Sequence, residues 1–277
     1  MQIGTGDLFW RAYADGPAQA PPLVLLHGFA QGATSFKPLL PVLSRTFRVL
    51  RLDLPGHGET RPRHEVKFDW PRLCANLHEA VAQLDERPAH WFGYSQGGRV
   101  ALMAALAQPE RVHSLALLGA STGIADPSER ARRTESDRLL AQNITRRGLE
   151  WFTQYWEALP IFATQRELPE SIRTHIRDER NACDPHGLAL ALETYGTATM
   201  PDCFAQLTAW TKPLWLGAGE LDAKFVASNA RSAAAAHASL LYHVTFPAAG
   251  HAAHLERPVE FTQSLIAFFS AAQGLSA

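Results

Sequence analysis

Six short apolar runs, each ending in Gly, Pro or Ser, alternate with helix-like stretches along this 277-residue chain. The runs are residues 22–28, 47–56, 89–95, 113–121, 212–219 and 241–250. They are apolar almost throughout, which is typical of strands that are covered on both faces, as in a parallel sheet. The helix-like stretches are 34–44, 69–86, 96–107, 224–236 and 256–272. This alternation predicts an α/β fold with a mostly parallel, doubly wound sheet.

Two segments depart from the alternation. Residues 7–16 alternate polar and apolar side chains, which predicts an antiparallel strand or hairpin at the sheet edge. Residues 123–205 contain no strand-like run, and their aromatic residues and arginines recur at loosely helical spacings. We expect this insertion to form a helical lid over the carboxyl edge of the sheet, where α/β proteins bind ligands. The core domain would then comprise residues 1–122 and 206–277.

Composition excludes several classes of partner and cofactor. Lys and Arg total 26 against 27 Asp and Glu, so no nucleic-acid or membrane partner is expected. The start of the chain lacks the features of a signal peptide, and no apolar run approaches the ~20 residues of a membrane span. The three cysteines predict reduced thiols in a cytoplasmic protein. The 12 histidines show no metal-site spacing and GxGxxG is absent, so no metal or cofactor is expected.

The segment Gly93-Tyr94-Ser95-Gln96-Gly97 lies between a predicted strand and a predicted helix, as a nucleophile elbow does. The sharp turn strains the serine backbone, and the residues two before and two after it must be small. The amino end of the following helix would then direct free N–H groups towards the reacting atoms. We therefore predict that Ser95 is a functional serine.

A serine of this kind needs a base and an acid that orients the base, in the chain order Ser, acid, His. Asp222 follows one predicted strand and His251 follows the next, so the three form the predicted triad. Glu220 is the alternative acid and His254 the alternative base, and Asp222 could instead cap a helix.

Two loops after predicted strands complete the pattern. Residues 25–32, "LLHGFAQG", resemble a loop that supplies one amide of an oxyanion hole, so the backbone N–H groups of Phe29 and Gln96 are the expected pair. His57, in "DLPGHGET", precedes the serine and is expected to be structural. These features together predict an α/β-hydrolase fold and leave the reaction open.

Beyond the triad, the chain resembles the family of 2-succinyl-6-hydroxy-2,4-cyclohexadiene-1-carboxylate synthases, which are lyases of menaquinone (vitamin K2) biosynthesis. The resemblance covers most of the chain from about residue 22, and it is most specific in the lid. Gln96 stands where a larger apolar residue is common in that family, and Phe36 where tryptophan is common. The segments that carry the resemblance are 93–105, 128–141, 151–162, 176–192, 219–225 and 249–258.

This resemblance implies a carbon–oxygen lyase that expels pyruvate from a small tricarboxylate by 2,5-elimination, with Ser95 taking a proton. Such a substrate needs cations, and arginine binds a carboxylate through two parallel hydrogen bonds. Matching positions imply that the following residues bind substrate: Tyr94, Arg99, Arg133, Trp156 and Arg180. Arg99 also stands out without the resemblance, because an arginine near the serine is costly unless an anion pairs with it.

Other interpretations remain open for the lid arginines and for the activity. The segment 123–205 holds ten arginines and thirteen acidic residues, and Arg132, Arg138 and Arg147 are assigned to solvated helix faces. The triad alone would equally suit a carboxylesterase or C–C bond hydrolase that forms an acyl-enzyme. A non-catalytic ligand receptor is the third reading. A monomer or a weak homo-oligomer is expected.

Overall fold

The structure is a computed structural model that describes residues 1–63 and 69–274. Within these ranges the strands are β1 (Gln2–Gly4), β2 (Leu8–Asp15), β3 (Pro22–Leu26), β4 (Arg48–Leu52), β5 (Arg61–Pro62), β6 (Ala89–Tyr94), β7 (Val112–Leu118), β8 (Leu214–Gly219) and β9 (Leu241–Phe246). The core helices are α1 (Leu40–Leu43), α2 (Trp70–Leu84), α3 (Gln96–Ala107), α7 (Phe204–Thr208), α8 (Ala223–Ala235), α9 (Ala253–Glu256) and α10 (Pro258–Gly274). Between β7 and α7 lie α4 (Pro127–Glu157), α5 (Glu170–Asn181) and α6 (Pro185–Tyr195). Short 3-10 helices occupy Ala33–Leu39, Pro109–Arg111 and Pro160–Glu167.

These strands form one mostly parallel sheet in the order β1-β2-β4-β3-β6-β7-β8-β9, with β5 beside β2. The strands from β4 to β9 along this order pair in parallel, whereas β2 runs antiparallel to β1, β4 and β5. The α/β class predicted from the alternation is confirmed. The strand predicted at 7–16 is antiparallel, but it lies one position inside the edge, because the three-residue β1 pairs with its outer side.

Helices cover both faces of the sheet, which explains why its central strands are apolar throughout. Every residue of β3, β6 and β8 is buried. Adjacent residues of β6 serve opposite faces: Trp91 packs with α2 and α3, and Phe92 packs with α10. Strand β9 lies at the outer edge and alternates exposed and half-buried residues. The parallel strands therefore all end at one edge, where the loops that follow them meet.

The lid segment is helical and has its own apolar cluster. Ile144, Phe152 and Leu188 pack together and against Ala30, in the loop after β3. Helix α4 is kinked at Gly148, where φ is 79°. The domain limits at 123 and 205 remain a prediction, and helix α7 spans the second of them. The predicted core also includes residues 64–68 and 275–277, which lie outside the described ranges. None of the described helices has the length and apolarity needed to cross a membrane.

Candidate active site

The turn after β6 holds Ser95 in a backbone conformation that L-residues rarely adopt, with φ 52° and ψ −109°. The backbone is packed so closely there that side chains are excluded on both sides of the serine. A Cβ on Gly97 would lie 2.2 Å from the carbonyl oxygen of Leu26, and one on Gly93 would lie 2.3 Å from that of Gly97. The N–H of Ser95 donates to the carbonyl oxygen of Leu118 at 2.8 Å, which ties the turn to the end of β7. The strained serine is therefore held by the surrounding sheet.

The three side chains of the predicted triad lie in one hydrogen-bonded row. Ser95 Oγ is 3.0 Å from Nε2 of His251, and Nδ1 of His251 is 2.6 Å from Oδ2 of Asp222. An ionised carboxylate can only accept a hydrogen bond, so the N–H of His251 lies on Nδ1 and its Nε2 is free to accept the serine proton. His251 and Asp222 are both buried. This geometry allows His251 to remove the proton from Ser95.

The alternative triad members have other contacts. Asp222 precedes α8 but makes no side-chain capping bond, which removes the helix-cap alternative for this residue. Glu220 is exposed and accepts the N–H of Ala248. His254 is fully buried against the ring of Tyr94, and burial lowers its pKa to about 3. His57 contacts the Pro55 carbonyl oxygen and the Tyr195 hydroxyl, away from the serine.

Glu256 holds the loop that carries His251. Its buried carboxylate accepts the N–H of Gly250 at 2.6 Å and the N–H of Ala252 at 3.2 Å, which are the amides on either side of His251. Residue 256 lies within one of the resembling segments, yet no role was predicted for it. The only signal in the sequence was an acidic residue five positions after the histidine. The tight turn at 249–253 brings this residue back to the amides beside His251, which the sequence alone does not show.

The two predicted oxyanion amides flank the serine loop. Gln96 begins α3 and Phe29 lies in the loop after β3. Within the described residues we find no hydrogen-bond acceptor for either amide, so both are available to a ligand. The Phe29 ring also contacts Phe152 and Trp156 of the lid, with ring centroids 5.9 and 5.3 Å away. The loop therefore joins the serine site to the lid.

A cavity of about 330 Å³ lies between the triad and the lid. The triad members Ser95 and His251 line it, together with the predicted ligand-binding residues Arg99, Arg133 and Trp156. Its other lining residues are Ser121, Ser136, Asp137, Leu140, Tyr155, Leu159, Ile161, Phe162, Thr197, Lys224 and Phe225. The structure thus joins the serine and two of the three predicted arginines in one enclosure.

Arg99 is buried in this enclosure without a partner. Its side chain makes no ion pair or hydrogen bond with any described residue, and its Nε is among the buried atoms that lack a partner. Burial, with the nearby charge of Arg133, lowers its pKa to about 9, although the charge of Asp137 acts in the raising direction. Keeping a guanidinium charged in such a place costs free energy, and a bound anion would offset that cost.

The remaining predicted binding residues are arranged differently. Arg133 Nε donates to Oδ1 of Asp137 at 2.8 Å, so this arginine has a partner four residues along the same helix. Tyr94 and Arg180 do not line the cavity of Ser95. Arg180 lies on the far side of Phe162, in a second cavity of about 110 Å³, and its Nη1 is 3.1 Å from Glu157. Its role towards a substrate stays a prediction.

Among the described residues, no group of three or more His, Cys, Asp or Glu side chains is arranged to hold a metal ion. The three cysteines are free and buried.

Comparison with known proteins agrees with this geometry. A model of the α/β-hydrolase fold family matches residues 21–258. A Bacillus subtilis (strain 168) protein, provisionally named 2-succinyl-6-hydroxy-2,4-cyclohexadiene-1-carboxylate synthase, is 35% identical over 272 residues, or 98% of each chain. An Escherichia coli O1:K1 / APEC protein with that synthase name is 32% identical over 250 residues, which cover 90% of this chain and 94% of the relative. The structure of MenH from S. aureus superimposes with a TM-score of 0.90 at 30% identity, over 95% of this chain and 98% of that one. The predicted fold and the family resemblance are confirmed.

Proposed function

Because the chain belongs to the 2-succinyl-6-hydroxy-2,4-cyclohexadiene-1-carboxylate synthase family of α/β-hydrolase-fold enzymes, we propose that it catalyses the reaction for which its relatives are named. The substrate would be 2-succinyl-5-enolpyruvyl-6-hydroxy-3-cyclohexene-1-carboxylate. The products would be the cyclohexadiene and pyruvate, so the enzyme would act as a carbon–oxygen lyase of menaquinone biosynthesis.

In this proposal Ser95 acts as a base. His251 Nε2 takes the serine proton, and the serine oxygen then takes a proton from a ring carbon of the substrate. The electrons of that C–H bond form one double bond of the diene, and the existing ring double bond shifts by one position to form the other. The C–O bond to the enolpyruvyl group breaks, and its electron pair leaves with the enolate oxygen. His251 returns its proton to the departing enolate, which becomes pyruvate, and Ser95 is left protonated as it began. Asp222 stabilises the imidazolium between these two transfers.

The backbone amides of Phe29 and Gln96 would stabilise the enolate-like negative charge that develops on the succinyl carbonyl oxygen, next to the ring carbon that loses its proton. Donors that are already oriented need no reorganisation during the reaction, which is why such groups lower the barrier. Both amides lack an acceptor among the described residues, as a site for a developing anion requires.

The single observation that favours this reaction over simple ester hydrolysis is the unpaired Arg99 in the serine cavity. A hydrolase of neutral esters gains nothing from a desolvated cation at this position, whereas a tricarboxylate supplies the missing anion. Arg133 lines the same cavity and would bind a second carboxylate after exchanging its contact with Asp137.

Release of pyruvate from the enolpyruvyl substrate, followed with a coupled lactate dehydrogenase assay, tests the proposal. We expect the unmodified protein to release one pyruvate per diene, and Ser95→Ala to lose at least about 1000-fold in kcat, ~4 kcal/mol of transition-state stabilisation. Ser136→Ala, which removes another hydroxyl from the same cavity, is the matched control and should retain activity. Rapid turnover of p-nitrophenyl esters without pyruvate release would contradict the proposal and favour an acyl-enzyme hydrolase.

A further inference from the structure

A wider cavity, of about 550 Å³, lies directly beside the cavity of Ser95, away from the cavity of Arg180. Four residues line both: Ser121, Arg133, Thr197 and Lys224. The two spaces therefore adjoin each other across these shared residues, on one side of the serine. We call this wider space the basic vestibule, and its further lining includes Glu129, Arg132, Ser228 and Arg231.

Unpaired cations face the vestibule from two sides. Arg132 comes from lid helix α4, and Lys224 and Arg231 come from core helix α8. None of these three forms an ion pair within the ranges 1–63 and 69–274. Glu129 is the single acidic residue in the lining. Some exposed arginines of the lid, such as Arg138 with Glu135, pair with neighbouring carboxylates. Here three cations without an ion pair face one acidic residue, so the lining has an excess of positive charge.

Two of the cations are positioned by aromatic rings. The Arg231 guanidinium lies 4.1 Å from the centroid of Phe204, a contact that orients it at the rim of the vestibule. Lys224 Nζ lies 5.8 Å from the centroid of Phe225, whose ring is in turn 5.1 Å from that of His251. Lys224 lines both the cavity of Ser95 and the vestibule, whereas Arg132 and Arg231 line the vestibule alone.

We propose that the basic vestibule is a second carboxylate-binding site, which receives the 2-oxo acid as it leaves the catalytic cavity. The assignment of pyruvate as its ligand rests on the proposed function. The leaving group is a monoanion that departs from a cavity lined by Arg99 and Arg133, and the vestibule places further cations directly beside that cavity. Lys224, and then Arg132 and Arg231, offer the carboxylate successive partners along the way out.

A local binding site can be distinguished from long-range electrostatic attraction, because only the site loses affinity according to which arginines are replaced. Any two lost positive charges on the lid side weaken long-range attraction of an anion, and salt screens that effect over ~8–10 Å. A binding site instead depends on the particular arginines that contact the ligand. Arg132 and Arg231 line the vestibule but not the cavity of Ser95, so they can be changed without altering the residues that surround the reaction.

The test is direct binding of 13C-labelled pyruvate to the full chain, followed by ligand-observed NMR without any other substrate. We expect the double variant Arg132→Gln, Arg231→Gln to bind pyruvate about fivefold more weakly, equivalent to ~1 kcal/mol. The double variant Arg138→Gln, Arg146→Gln removes the same charge from lid arginines outside both cavities and should bind within about twofold of the unmodified protein, or ~0.4 kcal/mol. Methyl pyruvate, which lacks the charge, should bind equally weakly to all three proteins.

Three outcomes would overturn the proposal. One is equal affinity for pyruvate in the vestibule variant and the unmodified protein, and another is an equal loss in both double variants. The third is no binding by the unmodified protein up to about 50 mM, a binding free energy of only ~1.8 kcal/mol. These outcomes leave the proposed elimination untouched, because that reaction is tested by pyruvate release and not by pyruvate binding.

Discussion

The N–H of Arg99 donates to the carbonyl oxygen of Ser95 at 3.2 Å, so the arginine lies one helical turn beyond the serine. This bond places an unpaired, buried guanidinium beside a strained nucleophile. The arrangement gives the site a charge preference as well as a reactive oxygen. Its consequences can be measured on stability and on activity separately.

Replacing Arg99 with methionine should separate these two properties. We expect kcat/KM for the tricarboxylate to fall at least about 100-fold, or ~2.7 kcal/mol, because a substrate carboxylate loses its partner in a water-poor site. The unliganded fold should gain stability, about 1 kcal/mol, because a desolvated charge near Arg133 is removed. Steady-state kinetics and urea unfolding of the same preparation measure both quantities.

Arg138→Met serves as the control for Arg99→Met, since Arg138 is an exposed arginine of the lid outside the cavity. It should change neither quantity appreciably. A kcat/KM within about threefold of the unmodified enzyme, only ~0.7 kcal/mol, would show that Arg99 does not bind the substrate.

Glu256→Gln should impair catalysis through the position of His251. The amide oxygen of glutamine can still accept one of the two backbone N–H groups, but its NH2 group repels the other. We expect kcat to fall roughly tenfold, ~1.4 kcal/mol, with little change in KM, because the ligand-binding arginines are unaffected. The proton NMR signal of the His251 Nδ1–H that bonds Asp222 should shift in the same variant.

Exposed Glu260, at the start of α10, provides the matched replacement Glu260→Gln. A Glu256→Gln enzyme with an unchanged kcat and an unchanged His251 signal would mean that the hydrogen bonds from Gly250 and Ala252 to Glu256 do not position His251 for catalysis.

Stability should depend on pH through Glu179 of lid helix α5. Its side chain is 6% exposed and accepts a hydrogen bond from Thr34 of the core. Burial is the main cause that raises the pKa of Glu179, to about 7, and the negative charge of Asp53 acts in the same direction. The hydrogen bond from Thr34 and the charges of Lys37 and Arg180 lower the pKa, but they do not cancel the effect of burial. His175 Nε2 lies 3.7 Å away and also faces it.

Because the folded state holds this proton more tightly than the unfolded chain, the free energy of unfolding should decline as the pH rises from about 4.5 to about 7. Glu179→Gln keeps a group of the same shape and cannot ionise, so relative to the unmodified protein it should gain about 1–3 kcal/mol at pH 8 and little at pH 5. Urea unfolding at both pH values measures the difference. If the exposed lid variant Glu193→Gln shows the same pH-dependent gain, Glu179 is not the group responsible.

Sequence patterns predicted the parts of this protein that depend on local spacing. The elbow follows from two glycines around Ser95, and Asp222 and His251 follow from their positions just beyond strand ends. Strands β1 and β5 were missed because three or two residues are too few for a periodic pattern. The predicted helix at 256–272 corresponds to α10, which begins at Pro258 and ends at Gly274, and the four-residue α9 just before it was not predicted.

Long-range contacts account for the rest of the site. Asp137 could have been suspected from its spacing of four residues after Arg133, but Phe162, Lys224 and Glu256 become significant only when separate loops meet. The resemblance predicted Arg180 as a binding residue, yet the structure places it behind Phe162 with Glu157. Such placement depends on how the lid packs on the core, which periodicity does not specify.

A single-turnover experiment tests most directly whether Ser95 acts as a base. Excess enzyme is mixed with the enolpyruvyl substrate and quenched in acid at intervals, and each sample is analysed for pyruvate and for the intact mass of the protein. The proposed mechanism predicts one equivalent of pyruvate per substrate, formed with no covalent adduct on the protein at any time. A protein adduct at Ser95 that appears and decays with turnover, or substrate consumption without pyruvate, would contradict it.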